Sequence, residues 1–115
     1  MLIKEFEDIQ SWQIAKSIYL ESKVIFKDVK DTVFLYQYFR AALSIMNNIA
    51  EGFERRTSKE FGYFLNVAKG SAAEVRSMVH IAVELKYCSE DKYNLLVEKC
   101  ISVSKLISKL STSIK

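Results

Sequence analysis

The stretch QYFRAALSIMNNIAEG, residues 37–52, decides the fold class of this 115-residue chain. On a helix its polar side chains fall in one narrow stripe, and nearly all of the remaining circumference is apolar. The stripe consists of Gln37, Arg40, Ser44, Asn47, Asn48 and Glu51. Arg40 is the one charged residue between positions 33 and 50, so such a helix has little surface suited to water. We therefore expect a helical bundle to cover one side and a neighbouring subunit to cover another.

Composition restricts the chain to one helical domain. It has no proline and three glycines, which disfavours sandwiches and barrels because their many turns use those residues. Half of the residues are hydrophobic and 27% are charged, a mixture typical of a folded domain. We expect an all-α fold in which residues 1–115 form a single domain.

Apolar residues at three- and four-residue steps predict four helices. The first runs from about Asp8 or Ser11 to Phe26, with Trp12, Ala15 and Ile18 among its apolar positions. A charged connection separates it from the second helix, which contains the quoted stretch. Gly52 is predicted to end that second helix by turning the chain left-handed.

Two capping signals mark the starts of the last two helices. Thr57 and Glu60 have the spacing of a capping box, and Ser89 precedes an acidic first turn. The predicted buried face of the third helix, which fades near Lys86, is Phe61, Phe64, Leu65, Ala68, Ala72, Val75, Val79, Ala82 and Val83. That of the fourth helix is Leu96, Cys100, Val103, Ile107, Leu110 and Ile114. Together the four helices predict an antiparallel up-down-up-down bundle that assembles as a homo-oligomer.

The formal net charge of +3 belongs to the second half of the chain. Up to residue 51 there are six basic residues against seven acidic ones, whereas after it there are eleven against seven. The excess suits a polyanionic partner, although an excess of this size also occurs on proteins that bind no nucleic acid. Charge alone leaves that question open.

The cysteines and the apolar run bear on location. Cys88 and Cys100 are too few for a disulfide framework, and charged residues interrupt the amino terminus where a secretory signal would be apolar. The polar groups of the stripe would be costly in hydrocarbon, so no transmembrane helix is expected. We expect a cytoplasmic protein that does not enter membranes.

A family resemblance is carried by NIAEG, residues 48–52, and by the residues around it. The supporting positions are Gln37, Arg40, Ala41, Ser44, Ile45, Arg56, Ser58, Glu60, Phe61, Phe64, Leu65, Ala68, Gly70, Ser71 and Glu74, with Phe6, Ile9, Trp12, Gln13 and Ala15 as an opening motif. This pattern resembles the four-helix-bundle family encoded by intervening sequences in large-subunit (23S) ribosomal RNA genes. The resemblance covers roughly residues 6–87 at the level of motifs, and the fourth helix matches in character.

The same family includes the accessory variability determinant protein of diversity-generating retroelements. Resemblance to that group implies a homopentamer of bundles with a basic surface that binds nucleic acid and a partner reverse transcriptase. The chain departs from the pattern at Phe39, where many members have an arginine, and it lacks prolines usual near Lys27 and Met46. The missing cation weakens any transfer of nucleic-acid contacts to the second helix.

Five residues of the stripe, Arg40, Ser44, Asn47, Asn48 and Glu51, are predicted to be structural. Polar groups buried on bundle helices set register, across helices or between subunits, because a misaligned pairing would leave them unsatisfied. A ligand or nucleic-acid site is the alternative for the same residues.

Nucleic-acid contacts are predicted at Arg55, Arg56 and Lys59 near the start of the third helix, and at Lys69 and Arg76 along it. The helix start favours anions, and cations on one line of a helix, with His80 and Tyr87 beside them, suit phosphates and stacked bases. Hydrated surface or a subunit contact is the competing interpretation at both places. The lysines at 99, 105, 109 and 115 add a diffuse positive field to the fourth helix.

Chemistry other than binding finds no support in the motifs. The chain has one histidine and no C-x-x-C pair or glycine-rich phosphate loop, so no metal, cofactor or enzymatic activity is predicted. We expect a non-catalytic accessory protein that binds RNA or single-stranded DNA. The alternatives are a scaffold that docks a partner such as a reverse transcriptase, and a small-molecule binder using a cavity of the bundle.

Overall fold

The computed structural model describes residues 3–114. Its helices are α1 (Gln10–Ile25), α2 (Thr32–Phe53), α3 (Ser58–Glu84) and α4 (Glu90–Ser113), and a 3-10 turn, Phe6–Asp8, precedes α1. Helical residues, counting the 3-10 turn, make up 82% of residues 3–114, and this range contains no strand. Packing is cyclic, since α1 and α3 each lie against both α2 and α4. Short connections make successive helices antiparallel, which confirms the predicted all-α bundle.

One hydrophobic core runs the length of the bundle. Its largest fully buried side chains include Ile18 from α1, Tyr38 and Ile45 from α2, Leu65 from α3 and Leu96 from α4. The Tyr38 hydroxyl shares a 2.7 Å hydrogen bond with the hydroxyl of Ser22, which satisfies both polar groups inside the core. Most predicted core positions are buried, whereas Trp12, Phe64, Val83, Leu110 and Ile114 are half-buried at its edges.

Side-chain caps begin three of the four helices. Asp31 accepts from the Phe34 amide at 3.1 Å, Thr57 from the Glu60 amide at 3.1 Å and Ser89 from the Lys92 amide at 3.2 Å. The caps predicted at Thr57 and Ser89 are confirmed. The exception is α1, which follows Ile9 and has no side-chain cap.

The prediction that Gly52 ends α2 in a left-handed turn is wrong. The helix continues through Gly52 to Phe53, and no glycine among the described residues has a positive φ. A Cβ at this position would lie 2.8 Å from Phe64 Cβ and 2.9 Å from Phe61 Cδ1. Gly52 is therefore needed because α3 approaches the α2 backbone too closely for any side chain.

The outer side of α2 keeps apolar groups in contact with solvent. Val33 is 73% exposed, Tyr36 67% and Leu43 38%. Beside them on the outer side of α3 lie Val67, 36% exposed, and Ile81, 51% exposed. A single bundle thus covers one side of α2, and the subunit expected on its other side remains a prediction.

Candidate nucleic-acid interface

The polar stripe of α2 lies along its seam with α3. Arg40 forms a 3.0 Å ion pair with Glu74, and the hydroxyls of Ser44 and Ser71 are hydrogen-bonded at 2.7 Å. Asn48 donates to the backbone carbonyl of Ser44 at 2.8 Å and to its hydroxyl at 2.9 Å. The Arg40–Glu74 and Ser44–Ser71 contacts join α2 to α3 within one chain and fix their register, whereas the Asn48 bonds lie within α2.

The two other residues of the predicted structural set lie outside this network. Asn47 is exposed on the outer side of α2. Glu51 is half-exposed and pairs with Arg55 at 2.7 Å, one turn further along the chain. Neither residue bridges α2 and α3 in the single chain, so the subunit contact expected for them stays a prediction.

The predicted basic cluster at the start of α3 divides into a neutralised arginine and two exposed cations. Arg55 lies 2.7 Å from Glu51 and 4.0 Å from Glu60, and its guanidinium stands 4.8 Å from the centre of the Phe64 ring. The Arg55 guanidinium already contacts two carboxylates and an aromatic ring, so it is less available to a phosphate than an unpaired cation.

Arg56 and Lys59 remain exposed at the end of the bundle where the α2–α3 connection meets the end of α4. Arg56 lines a groove with Ser113 and Ile114, and Lys59 lines a neighbouring groove with Ile114. The structure therefore brings these two cations to the end of the α3–α4 seam, apart from the pairs that hold Arg55.

Lys69 and Arg76 lie on the side of α3 that faces α4. Lys69 donates to the Ser108 hydroxyl at 2.7 Å, and further up the seam the Tyr93 hydroxyl lies 2.9 Å from His80 Nδ1. These contacts set the register of the two antiparallel helices. Lys105, one turn before Ser108, is consequently level with the part of α3 between Lys69 and Arg76.

Tyr87 does not lie on the predicted line of residues along α3. The helix ends at Glu84, and Lys86 follows with a φ of 61°, so Tyr87 leaves the line. Its hydroxyl donates to Asp31 at 2.7 Å, and its ring packs edge-on against Phe34 with centroids 5.1 Å apart. Tyr87 joins the α3–α4 connection to the start of α2, so its hydroxyl and ring make contacts within the bundle, away from the predicted line on α3.

The lower half of the α3–α4 seam carries positive charge without opposing acids. No aspartate or glutamate occurs at positions 61–73 of α3 or 99–114 of α4. The exposed cations of the seam within these segments are Lys69 and Lys105; with Lys59 and Arg76, which flank the first segment next to Glu60 and Glu74, they form what we call the α3–α4 basic face. Three of them were predicted from sequence, and Lys105 was assigned only to a diffuse field because its level against α3 depends on the packing of the helices.

Comparison with known proteins places this arrangement in a family. The model of the 23S rRNA-intervening sequence protein family matches residues 7–109. The chain belongs to this family. Its expected tie to the accessory variability determinant protein has no counterpart in these comparisons and stays a prediction.

A solved structure shows the same fold as this family member. It is a protein of unknown function from the S23 ribosomal protein family of Bacteroides thetaiotaomicron, with a TM-score of 0.78 at 22% identity. The alignment covers 89% of this chain and 91% of that one. Among curated proteins, none matches the chain significantly.

The cysteines of this family member have environments that favour the protonated thiol. Burial raises the pKa of Cys100 to about 12, although the positive charge of Arg76 acts in the opposite direction. Burial likewise raises the pKa of Cys88, and the charge of Glu90 adds to that effect. Neutral thiols are poor nucleophiles and poor metal ligands. Between residues 3 and 114 no group of three or more His, Cys, Asp or Glu side chains is arranged to hold a metal.

The apolar second helix is not a membrane span. Across the described part of the chain, no helix combines the length and hydropathy needed to cross a bilayer.

Proposed function

We propose that this family member is a non-catalytic, oligomeric accessory protein that binds RNA or single-stranded DNA through the α3–α4 basic face. The observation that carries the proposal is the absence of acidic residues at 61–73 and 99–114, the two segments that frame Lys69 and Lys105. Cations without carboxylate partners are free to contact a phosphate backbone, whereas Arg55 is already in an ion pair with Glu51.

The spacing of the cations suits a backbone running along the seam. Lys59, Lys69 and Arg76 follow one another along α3 at intervals of roughly 15 and 10 Å, taken from the helical rise. Each phosphate contact is weak, and several are needed for useful affinity. If the family resemblance extends to a pentamer, the formal charge of one particle is about five times +3, which multiplies the contacts without adding new ones.

A scaffold that docks a partner protein is the second candidate, and the exposed apolar groups of α2 and α3 favour it. Tyr36, Leu43 and Ile81 present apolar surface beside the seam that carries the polar stripe. Such surface suits protein rather than nucleic acid. In our proposal it holds the copies of this chain together, and the α3–α4 basic face stays free for the polyanion.

The decisive experiment measures the salt dependence of binding to an unstructured RNA strand by fluorescence anisotropy. Engagement of three phosphates by one subunit predicts a slope of about −2 for log affinity against log salt. Charge reversal by Lys69→Glu, Arg76→Glu or Lys105→Glu should weaken binding equally for unrelated sequences and make the slope shallower by roughly one unit or less. Circular dichroism checks that each variant is folded.

Matched controls are Lys27→Glu and Lys30→Glu. These exposed lysines lie in the α1–α2 connection, at the other end of the bundle from Lys59, and reversing them changes the net charge by the same amount. If the control variants lose as much affinity as the face variants, the α3–α4 basic face is not the binding site. Absent or salt-insensitive binding would favour the docking scaffold.

A further inference from the structure

A small cavity lies between the start of α1 and the last turns of α4. Its volume is about 240 Å³, and it is lined from α1 by Gln10 and Ser11 and from α4 by Lys109 and Ser113. Aliphatic side chains, among them Ile9 and Leu106, form the remaining wall. Among the described residues, no aspartate or glutamate lines the cavity. The cavity opens on the α1 flank of α4, whereas the α3–α4 basic face follows the other flank; Ser113 also lines the groove beside Arg56.

The Ser11 hydroxyl is a buried hydrogen-bonding group without a partner, at the wall of this cavity. The residue is 1% exposed, and its Oγ is the one buried side-chain oxygen or nitrogen of residues 3–114 that lacks a partner. Native proteins satisfy nearly all such groups, because a buried polar atom without a partner is costly. By contrast the buried hydroxyls of Ser22 and Ser71 both have partners within the bundle. Ser11 therefore points to a ligand that the bundle itself does not supply.

The start of α1 adds donors and a positive potential beside Ser11. The preceding residue, Ile9, cannot cap the helix, although α2, α3 and α4 begin with side-chain caps. An uncapped helix start presents backbone amides and the positive end of the helix dipole. Lys109 brings a full positive charge to the same cavity. Ser11, the α1 amides and Lys109 favour an acceptor that carries negative charge, whereas the last-turn carbonyls of α4, the negative end of its dipole, act against one in the same cavity.

The size and walls of the cavity restrict the ligand further. A volume of about 240 Å³ corresponds to roughly eight waters and is smaller than the pockets that hold drug-sized ligands. The aliphatic wall would be left poorly covered by an inorganic phosphate, whose two charges would also lose their hydration against it. We infer that the cavity binds a short-chain aliphatic monocarboxylate, with the carboxylate at Ser11, the α1 amides and Lys109 and the tail against Ile9 and Leu106.

Butyrate is a suitable probe, with n-butanol and n-butylamine as matched controls of similar size. Titration of the full chain, followed by the amide shifts of residues 10–12 in NMR, should show saturable binding of butyrate in the millimolar range. The butylammonium cation should not bind, and butanol should bind at least several-fold more weakly. Equal binding of butanol and butyrate would overturn the proposal, as would the absence of saturation by butyrate.

Ser11→Ala separates a ligand-binding role from a structural one. Losing a hydrogen bond to a charged group should weaken butyrate binding by about tenfold or more. The melting temperature of the unliganded variant should not fall, because the hydroxyl has no partner to lose. The matched control is Ser113→Ala in the same cavity, whose hydroxyl already donates to the Leu110 carbonyl at 2.7 Å. We expect that variant to bind butyrate within twofold of the original chain.

Lys109→Met tests the charge separately and should also weaken butyrate binding while leaving the fold intact. Unchanged butyrate affinity in Ser11→Ala would show that ordered water alone satisfies the hydroxyl, which overturns the proposal. A lowered melting temperature of unliganded Ser11→Ala would equally contradict it. RNA binding should be unaffected by Ser11→Ala, so this inference can fail independently of the proposed function.

Discussion

The two flanks of α3 carry opposite kinds of polar chemistry. Toward α2, Arg40 and Glu74 neutralise each other, and Ser44, Ser71 and Asn48 use one another as partners. Toward α4, the cations of the α3–α4 basic face form no ion pair with a carboxylate of the described residues. On the first flank the polar groups are paired within one chain, whereas on the second the cations have no carboxylate partner.

The apolar groups show the reverse distribution. The exposed Tyr36 and Leu43 lie on the outer side of α2, and Ile81 lies on the outer side of α3, where it also lines a groove with His80 and Tyr93. The groups without a partner near α2 are therefore apolar side chains, and those without a partner near α4 are cations. Under the proposed function, the contact between copies of the chain and the contact with a polyanion would therefore use different flanks of one bundle.

The largest expected effect is on assembly. Leu43→Lys places a charge within the exposed apolar surface of α2, and we expect the particle to fall from an oligomer to single bundles. Sedimentation or light scattering measures the mass. The matched control is Leu20→Lys, which changes an exposed leucine of α1, 53% exposed, and should leave the mass unchanged. A wild-type chain that is already monomeric would remove the protein-contact half of the comparison.

The next largest effect is on stability, through the close approach of α2 and α3 at Gly52. Gly52→Ala forces a methyl group within 3 Å of Phe61 and Phe64, and it should destabilise the fold by about 1–3 kcal/mol. Chemical denaturation measures the change. Gly70→Ala is the matched control, because nothing lies within 4 Å of its added Cβ and the helix should gain roughly 0.5–1 kcal/mol. Destabilisation of equal size in both variants would contradict the close-approach explanation for Gly52.

The smallest effect concerns the Arg40 and Glu74 ion pair. Its side chains are 50% and 42% exposed, so a double-mutant cycle with Arg40→Met and Glu74→Gln should give a coupling of about 0.2–1 kcal/mol. The free energies of unfolding of the four proteins supply the measurement. Added salt should reduce the coupling. A coupling well above this range would mean that the pair is buried in the assembled particle.

Local signals in the sequence were enough to predict the four helices and the caps at Thr57 and Ser89, although not the Asp31 cap of α2. Thr57 and Ser89 act on amides three residues away, so their roles can be read without knowing the fold. Gly52 was misjudged because a glycine after an apolar run looks like a helix end, while its actual constraint comes from Phe61 and Phe64 on another helix. That constraint appears only after α2 and α3 have packed.

The candidate site was predicted in part, for similar reasons. Lys69 and Arg76 share a flank of α3 by helical periodicity alone. Tyr87 was placed with them because the end of α3 has no glycine to signal it, and the residue with the positive φ is Lys86. The importance of Lys105 depends on the register of α4 against α3, and the Ser11 cavity depends on where the end of α4 meets the start of α1. Neither relation has a local signal.

The carboxylate of Asp31 accepts hydrogen bonds from two separate parts of the chain. It caps α2 through the Phe34 amide and receives the Tyr87 hydroxyl from the α3–α4 connection. The Tyr87 bond, followed by the Phe34 bond, lowers the pKa of Asp31 below its ordinary value of 3.8. A carboxyl group of this kind stabilises the fold at pH values above its ordinary pKa, and the contribution is lost as the pH falls through the lowered one. Acidification through that lowered pKa would thus weaken two contacts at once, the cap of α2 and the attachment of the α3–α4 connection, because one carboxylate serves both.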